Sequence, residues 1–523
     1  MHIRRRRWLI VAALLSALVV AAAISVAIRI PFSSKVLRDR LVSALEDRLD
    51  ADVDLQELTL RVYPRVHASG RGLTIRFEQR TDVPPLIAIQ EFNVDADLIG
   101  LWRHRVARVR LDGLAINIPP DDPDSEPDTK DEPDKSGTPP DASVYGRDVV
   151  IEELDAPDAQ LTILRSEPQK APRVWRMHQL KLRQVGLASK MPFETDLTNA
   201  VPPGQIIAAG TFGPWSRNDP GATPLDGQFT FDHADLGVFN GISGILSARG
   251  SFEGTLDKLI VNGQTETPDF MVNLSGHRVP LRTTYRAIVD ATNGNTTLDT
   301  VDATVLNTRI VSKGGVYEVE GAHGRVVKLD VNIENGRLDD VMRMAVKTAH
   351  PPMVGGLTLS TSLTIPPGPK DIVDKLLLDG RFRINNGRFT DTGVQTKIND
   401  LSRRARGKKV SEDETVARVT SDFAGRFKLG NGGLALSDLS FDVPGAVVRL
   451  HGDYSLRRET LAFEGDLNMD AKLSQTTTGF KSLLLRIADP IFRRNGKTVV
   501  PLKIAGTRND PKFALDYKRV FNR

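Results

Sequence analysis

The residues that could do chemistry are scattered along this 523-residue chain. The nine histidines include no pair spaced by four residues, and the one close grouping with carboxylates is Asp232, His233 and Asp235. A protein metal site usually needs about four converging ligands, so this trio is more typical of a polar strand end. The absence of cysteine excludes disulfides, thiolate catalysis and cysteine-bound metals.

Short catalytic motifs are also missing from the sequence. There is no G-x-S-x-G nucleophile motif and no G-x-x-x-x-G-K-[ST] phosphate loop. The run at 430–435 fits a loose G-x-G-x-x-A pattern, but a strand follows it where a nucleotide site needs a helix, which favours a hairpin turn. We therefore predict no catalytic residue, no cofactor and no metal; a hydrolase with widely separated catalytic residues is the weakest alternative.

Charge and composition restrict the classes of molecule that this chain is expected to bind. The formal net charge is +4 and aromatic residues make up 6% of the chain. Basic and aromatic residues are not interleaved, as they are in proteins that bind single-stranded nucleic acid. We predict no nucleic-acid partner.

An apolar stretch near the start predicts a membrane anchor. Trp8 to Ile28 is 21 residues long without a charge or a proline, and four arginines precede it. This length spans a bilayer as a helix, and basic residues stay on the cytoplasmic side. We predict a cytoplasmic start at 1–7, a single transmembrane anchor at 8–30 and the bulk of the chain across the membrane. A cleaved signal peptide is the alternative.

The rest of the chain predicts a mainly β fold with few helices. Apolar residues recur at every second position, which is typical of a sheet with one apolar and one polar face, and about twenty-five candidate strands follow this rule. Helical spacing appears at 35–49, for a helix packed on its own domain or lying on the membrane surface. It appears again at 337–349 and 394–407.

Two further features divide the chain. Residues 119–143 are rich in Asp, Glu and Pro, which predicts a disordered linker; the spacing of the carboxylates matches no EF-hand calcium loop. Hairpin turns are predicted at seven dipeptides: Asp226-Gly227, Asn262-Gly263, Asn293-Gly294, Asn335-Gly336, Asp379-Gly380, Asn386-Gly387 and Asn431-Gly432. Three similar phrases, which begin near 225, 378 and 423, predict a repeated unit of two strands.

A basic amphipathic helix is predicted at about 475–494. It would either rest on a lipid surface or cover the open end of the sheet. Its apolar face comprises Phe480, Leu483, Leu484, Ile487, Ile491 and Phe492.

Two blocks of the sequence resemble the AsmA family of envelope proteins. The first block lies in 31–118, where an initial helix is followed by strands, and the second lies at about 376–470. The matching positions of the first are Asp52, Val53, Leu55, Leu60, Pro64, Val66, Gly72, Leu73, Ile75, Arg108, Val109, Leu111, Gly113, Ile116 and Ile118. Those of the second are Gly433, Leu434, Leu436, Leu439, Phe441, Pro444, Gly445, Ala446, Val448, Leu450, Gly452 and Tyr454.

The resemblance implies a fold and a function for residues 144–523. AsmA proteins, with the related TamB and YhdP types, are thought to form an elongated, twisted β-sheet rolled into a groove that carries phospholipid across the periplasm. The resemblance thus implies an inner-membrane protein with phospholipid as its ligand, and with the outer membrane or envelope proteins as further partners. The alternatives are a scaffold for outer-membrane protein assembly and, for the apolar face, an ordinary sandwich core. The candidate lipid-binding residues are Phe382, Ile384, Phe423, Phe427, Leu434, Leu436, Leu439, Phe441, Val448 and Leu450.

Overall fold

The structure is a computed structural model that describes most of the chain after residue 33. The described residues are 34–49, 51–62, 65–76, 83–118, 149–164, 172–186, 188–216, 219–319, 324–407, 419–472, 474, 493–494, 497–507 and 510–515.

The described residues form a mainly β protein, as the alternation predicts. Hydrogen bonding links its 27 strands into one mixed sheet, and five helices accompany them. The helices are α1 (Ser34–Leu49), α2 (Leu98–Trp102), α3 (Leu338–Ala345), α4 (Ile372–Lys375) and α5 (Thr392–Ala405). Strands β1 to β14 are Asp52–Asp54, Glu57–Arg61, Val66–Arg76, Ile87–Ala96, Arg105–Asp112, Ala115–Ile118, Val150–Ile163, Arg173–Val185, Met191–Ala200, Pro203–Phe212, Pro224–Asp235, Ile242–Ser243, Ile245–Thr255 and Lys258–Val272. Strands β15 to β27 are Arg278–Val289, Thr296–Val305, Thr308–Glu318, Arg325–Arg337, Met353–Ile365, Leu377–Phe389, Ser421–Gly430, Gly433–Val443, Ala446–Ser455, Thr460–Met469, Arg493–Arg494, Lys497–Thr507 and Pro511–Leu515.

The chain divides into two compact units. The first comprises Met1–Asp235, Leu246–Gly263 and Ile288–Gly294, and the second comprises Leu236–Ile245, Gln264–Ala287 and Asn295–Arg523.

The first unit contains the largest buried core of the described chain. Helix α1 packs on β1 and β2 through Leu41 and Leu45, and Phe92, Leu73 and Val109 are buried beside them. This burial shows that α1 packs on its own domain, which is one of the two arrangements predicted for it. The strands pair antiparallel except β7, which runs parallel to β5 and β6. The strands on either side of the acidic segment are therefore neighbours.

The second unit is an antiparallel succession of strands with two small cores. One core gathers around Ile333, Leu338 and Ile384, and the other around Ala405, Phe441 and Val500. Helix α3 packs on β18 and β19, and α5 packs on β20 and β23. These two helices confirm the helices predicted at 337–349 and 394–407. Helix α3 ends four residues earlier than predicted, because its backbone becomes extended at Val346.

Most of the predicted hairpin turns are wrong. Asn293-Gly294 and Asn431-Gly432 do connect strands, but the other five dipeptides lie inside β11, β14, β18 and β20. At Gly380 a Cβ atom would lie 2.5 Å from the carbonyl oxygen of Ser360, so glycine is needed there for close strand contact and not for a turn. Asn335 and Asn386, at φ of 54° and 55°, form β-bulges within β18 and β20.

The predicted repeat of two-strand units is also wrong for two of its three phrases. The phrases that begin at Leu225 and Leu378 each occupy one strand, β11 and β20, and the positive φ of His233 and Asn386 marks a kink where we expected a turn. The third phrase does cover two strands, β21 and β22. A bulge and a turn both need a residue that tolerates φ > 0, so the residue types alone do not distinguish them.

Several predictions fall outside the described residues. These are the cytoplasmic start at 1–7, the anchor at 8–30, the acidic linker at 119–143 and the amphipathic helix up to Phe492. Arg493 and Arg494, predicted to end that helix, form β25 instead and pair with β26. Within the described part of the chain, we find no helix with the length and apolar character needed to span a bilayer.

Candidate functional site

The ten candidate residues lie together on four neighbouring strands of the second unit. Strand pairing joins β20 to β21, β21 to β22 and β22 to β23. The residues are Phe382 and Ile384 on β20, Phe423 and Phe427 on β21, Leu434, Leu436, Leu439 and Phe441 on β22, and Val448 and Leu450 on β23.

Their register places one row of these side chains directly across the four strands. Ile384 is opposite Phe423, Phe423 is opposite Phe441, and Phe441 is opposite Val448. The row continues to Leu467 on β24 and from there to Val500 on β26. Directly paired residues share a face of a sheet, so this row is one continuous apolar surface.

Most of this row is buried, because helices cover it; Phe423 and Leu467 are half-buried. Ile384, Phe441 and Val448 are 7%, 8% and 6% exposed. Ile398 and Leu401 of α5 pack against the core that contains Phe441 and Val448. Val341 and Met342 of α3 pack against the core that contains Ile384. We call this row, from Ile384 to Val500, the covered row; it has the environment of a protein core.

Side-chain hydrogen bonds fix α5 over the covered row. The side chain of Asp391 caps the helix by accepting a hydrogen bond from Val394 N at 2.8 Å. Gln395 accepts from Phe389 N and donates to the carbonyl of Val419, each at 2.9 Å. At the other end of the helix, the hydroxyl of Ser402 donates to the carbonyl of Pro444 at 2.7 Å. Helix α5 is therefore anchored to the strands at both ends.

The other candidate residues on these strands are half-buried. Phe382, Phe427, Leu434, Leu436, Leu439 and Leu450 have this intermediate exposure. Phe427 pairs directly with Leu436, and the rings of Phe382 and Phe427 have centroids 6.1 Å apart. We call these six residues and their half-buried apolar neighbours the apolar strip. The neighbours are Leu359, Leu363, Leu378, Leu429 and Leu461. Phe382 also packs against the core around Ile384, and Leu450 packs against the core around Phe441.

Glycines stand opposite several large residues of the apolar strip. Phe382 pairs with Gly425, Leu436 pairs with Gly452, and Leu450 pairs with Gly465. The space that a Cβ would take at these glycines is already occupied: the Phe382 ring lies 3.1 Å from that position at Gly425, and backbone oxygens lie 2.0 Å and 1.8 Å from it at Gly452 and Gly465. Glycine is therefore needed there for close contact between strands.

The opposite face of the same strands is polar. Arg381, Arg383, Arg426 and Lys428 alternate with the strip residues and are exposed. The ammonium group of Lys428 lies 3.0 Å from a carboxylate oxygen of Asp379 on the neighbouring strand. The sheet thus has a charged side that faces water and an apolar side that does not carry charge.

The polar groupings singled out in the sequence take ordinary positions. Asp232, His233 and Asp235 lie at the end of β11, where His233 has a φ of 56°. Among the described residues, no group of three or more His, Asp or Glu side chains could hold a metal ion. The run at 430–435 is a hairpin turn, in which Gly430 pairs with Gly433.

The apolar alternation extends beyond the ten candidates. In the first unit, Phe193, Ile206, Phe229 and Phe231 are half-buried on one face of β9, β10 and β11, and Ile206 pairs with Phe231. The rings of Phe229 and Phe252 stack with centroids 6.4 Å apart. The same period of two residues would have identified these positions. Phe480, Leu483, Leu484, Ile487, Ile491 and Phe492, the face of the predicted amphipathic helix, lie outside the described residues.

Comparison with known proteins gives no match: none of the family models, curated proteins or solved structures compared with the chain matches it.

Proposed function

We propose that the apolar strip binds lipid acyl chains. One observation carries this proposal: a row of large apolar side chains runs across paired strands and is half-buried, while the covered row on the same strands is protected by α3 and α5. The resemblance to the AsmA family supports the same assignment. The protein would be a lipid carrier in which the sheet curves into a groove.

The energetics of this binding need only apolar contact. Transfer of one CH₂ group from water to an apolar surface contributes about 0.8 kcal/mol, so a long acyl chain gains much from a surface several strands wide. A ligand held in this way can move along the strip, because neighbouring positions offer similar contacts. No catalytic residue is required.

The proposed location follows from the sequence before α1. The apolar stretch at 8–30 would anchor the chain in the inner membrane, with the β-sheet in the periplasm. Phospholipid would enter the strip from that membrane and move toward the outer membrane.

The test is lipid recovery from the purified full-length chain. The protein is extracted in mild detergent and bound phospholipid is measured by mass spectrometry. Leu436→Glu places a charge on the strip and should reduce bound lipid at least several-fold, because burying a carboxylate beside an acyl chain is costly. Ala435→Glu is the matched control, since Ala435 is the adjacent, exposed residue on the polar face. Equal lipid in both variants would contradict the proposal.

A crosslinking experiment distinguishes lipid from protein as the occupant. A photoreactive amino acid replaces Phe427, on the strip, or Lys428, on the polar face. Crosslinks to lipid at position 427 alone are expected. Crosslinks from position 427 to an envelope protein, without crosslinks to lipid, would contradict the carrier proposal and would favour an assembly scaffold.

A further inference from the structure

Helix α2, in the first unit, exposes three large apolar side chains within five residues. Trp102 is 80% exposed, Ile99 is 67% exposed and Leu98 is 54% exposed, so these are the most exposed large apolar residues of the described chain. Their spacing places them on one side of the helix, while Leu101 is buried on the other. An exposed apolar cluster of this kind marks a contact with a membrane or another molecule.

The cluster is presented by a well-fixed piece of backbone. The side chain of Asp97 caps the helix by accepting a hydrogen bond from Gly100 N. At the other end, Arg103 N donates to Ile99 O and His104 N donates to Leu101 O, each at 3.0 Å. Strands β4 and β5 hold both ends of the segment. The three side chains therefore project from an ordered turn of the sheet.

Basic residues surround α2 at this end of the sheet. The β2–β3 and β4–β5 connections lie side by side, because Val66 pairs with Ala96. These connections and the adjoining strand ends carry four exposed arginines: Arg61, Arg65, Arg103 and Arg105.

The nearby acidic side chains have partners within this end of the sheet. A carboxylate oxygen of Asp95 lies 2.7 Å from His67 Nδ1, and Glu152 is 3.5 Å from Arg105. Asp97 is engaged as the cap of α2. With four arginines against three carboxylates, the end is basic and suits an anionic surface.

The start of α1 points toward the same end. Glu46, near the end of α1, accepts a hydrogen bond from Val53 N, and only a short connection separates the helix from β1. Helix α1 packs along β1 and β2, so it runs back against their direction. Its first residue, Ser34, therefore lies toward the end of β2, where Arg61 is.

We propose that α2 inserts Leu98, Ile99 and Trp102 into the headgroup region of a bilayer that contains anionic lipid. Tryptophan favours this interface because its ring is apolar and its N–H is polar, and arginines beside it attract anionic headgroups. The exposure and charge of α2 carry the inference, which also rests on the proposed membrane anchoring. Together with the anchor, α2 would give the sheet a second attachment and a fixed orientation.

The test uses the absence of cysteine, since any introduced cysteine is a unique labelling site. Ile99→Cys and Ile207→Cys are each labelled with an environment-sensitive fluorophore in the full-length chain, reconstituted into liposomes. Ile207, at 50% exposure on β10 of the same unit, is the control. We expect about twofold or greater quenching of label 99 over label 207 by a nitroxide at shallow acyl depth, and correspondingly weaker quenching by iodide.

The lipid composition and the charge give two further readouts. The quenching of label 99 should increase when one third of the phosphatidylcholine is replaced by phosphatidylglycerol, and it should fall again in an Arg103→Glu, Arg105→Glu background. If iodide quenched label 99 as strongly as label 207, the inference would be overturned. Protection of label 99 from iodide without nitroxide quenching would also overturn it, and would assign α2 to a protein partner or a second copy of this chain. The amounts of lipid recovered with Leu436→Glu and with Ala435→Glu test the apolar strip independently of α2.

Discussion

The rings of Phe423 and Phe441 stack at paired positions of β21 and β22, with centroids 4.7 Å apart and planes inclined by 27°. The stack lies in the covered row, and Phe423 also meets Phe389 edge-on at 6.1 Å. One aromatic group therefore joins the two small cores of the second unit. By contrast, Phe427, on the same strand as Phe423, pairs with Leu436 in the apolar strip, and its ring centroid lies 6.1 Å from that of Phe382.

This contrast predicts different effects for two phenylalanine truncations. Phe441→Ala should lower the free energy of unfolding by about 3–5 kcal/mol, because it leaves a cavity beneath α5. Phe427→Ala should lower it by less and should instead reduce bound phospholipid. Urea denaturation of both variants, followed by lipid analysis, measures the two quantities. If Phe427→Ala were as destabilising as Phe441→Ala, the strip would be part of the core.

The close approach of neighbouring strands predicts different effects for two glycine substitutions. A Cβ on Gly465 would lie 1.8 Å from the carbonyl oxygen of Arg449, whereas a Cβ on Gly433 would have 3.6 Å to its nearest neighbour. Gly465→Ala should destabilise the protein by about 1–3 kcal/mol through strand displacement, and Gly433→Ala should not. Thermal unfolding of the two variants compares them. Equal midpoints would show that β23 and β24 can separate without cost.

An ion pair between β16 and β17 predicts a pH dependence. The hydrogen bond from Arg309 Nε to Asp302, at 2.9 Å, and the charge of that guanidinium lower the pKa of the Asp302 carboxyl. The folded state therefore gains stability from this carboxylate above the ordinary Asp pKa of about 3.9, and loses it as the pH falls through the lower folded pKa. Both groups contact solvent, so the gain should be under about 1 kcal/mol.

The variant Asp302→Asn measures that gain. Its unfolding free energy should fall below that of the native chain at pH 7, and the difference should shrink toward zero near pH 2. Arg309→Gln provides the reciprocal variant. A difference that grew on acidification would contradict the assigned sign.

The period of two residues predicts the mainly β fold, and it also predicts which apolar residues share a face, because directly paired residues lie on the same side of a sheet. Phe382, Phe427 and Leu436 were found in this way, and the structure places them together. The alternation does not reveal exposure: Phe441 and Leu436 look alike in the sequence, yet α5 covers only the first. Contacts between distant segments, such as Ser402 with Pro444, decide this difference.

β-Bulges are a second feature that the pattern of apolar residues does not predict. After Asn386 the apolar positions of β20 change from even to odd numbers, so that Gly387 and Phe389 follow Ile384 on the same face. A turn at Asn386-Gly387 would have ended the strand at that point. The choice between the two depends on which neighbouring strand is available for pairing.

The parallel pairing of β6 with β7 sets a minimum length for the acidic segment. Ile118 ends β6 opposite Ile163, so the chain must return along β7 to reach Val150. Fourteen residues of strand span about 46 Å at roughly 3.3 Å per residue. The 30 residues at 119–148 can reach about twice that distance when extended. Removal of 125–136 should leave the fold intact by circular dichroism and thermal unfolding, whereas removal of 121–142 should detach β7. The parallel pairing thus constrains this segment through the distance that it must bridge between β6 and β7.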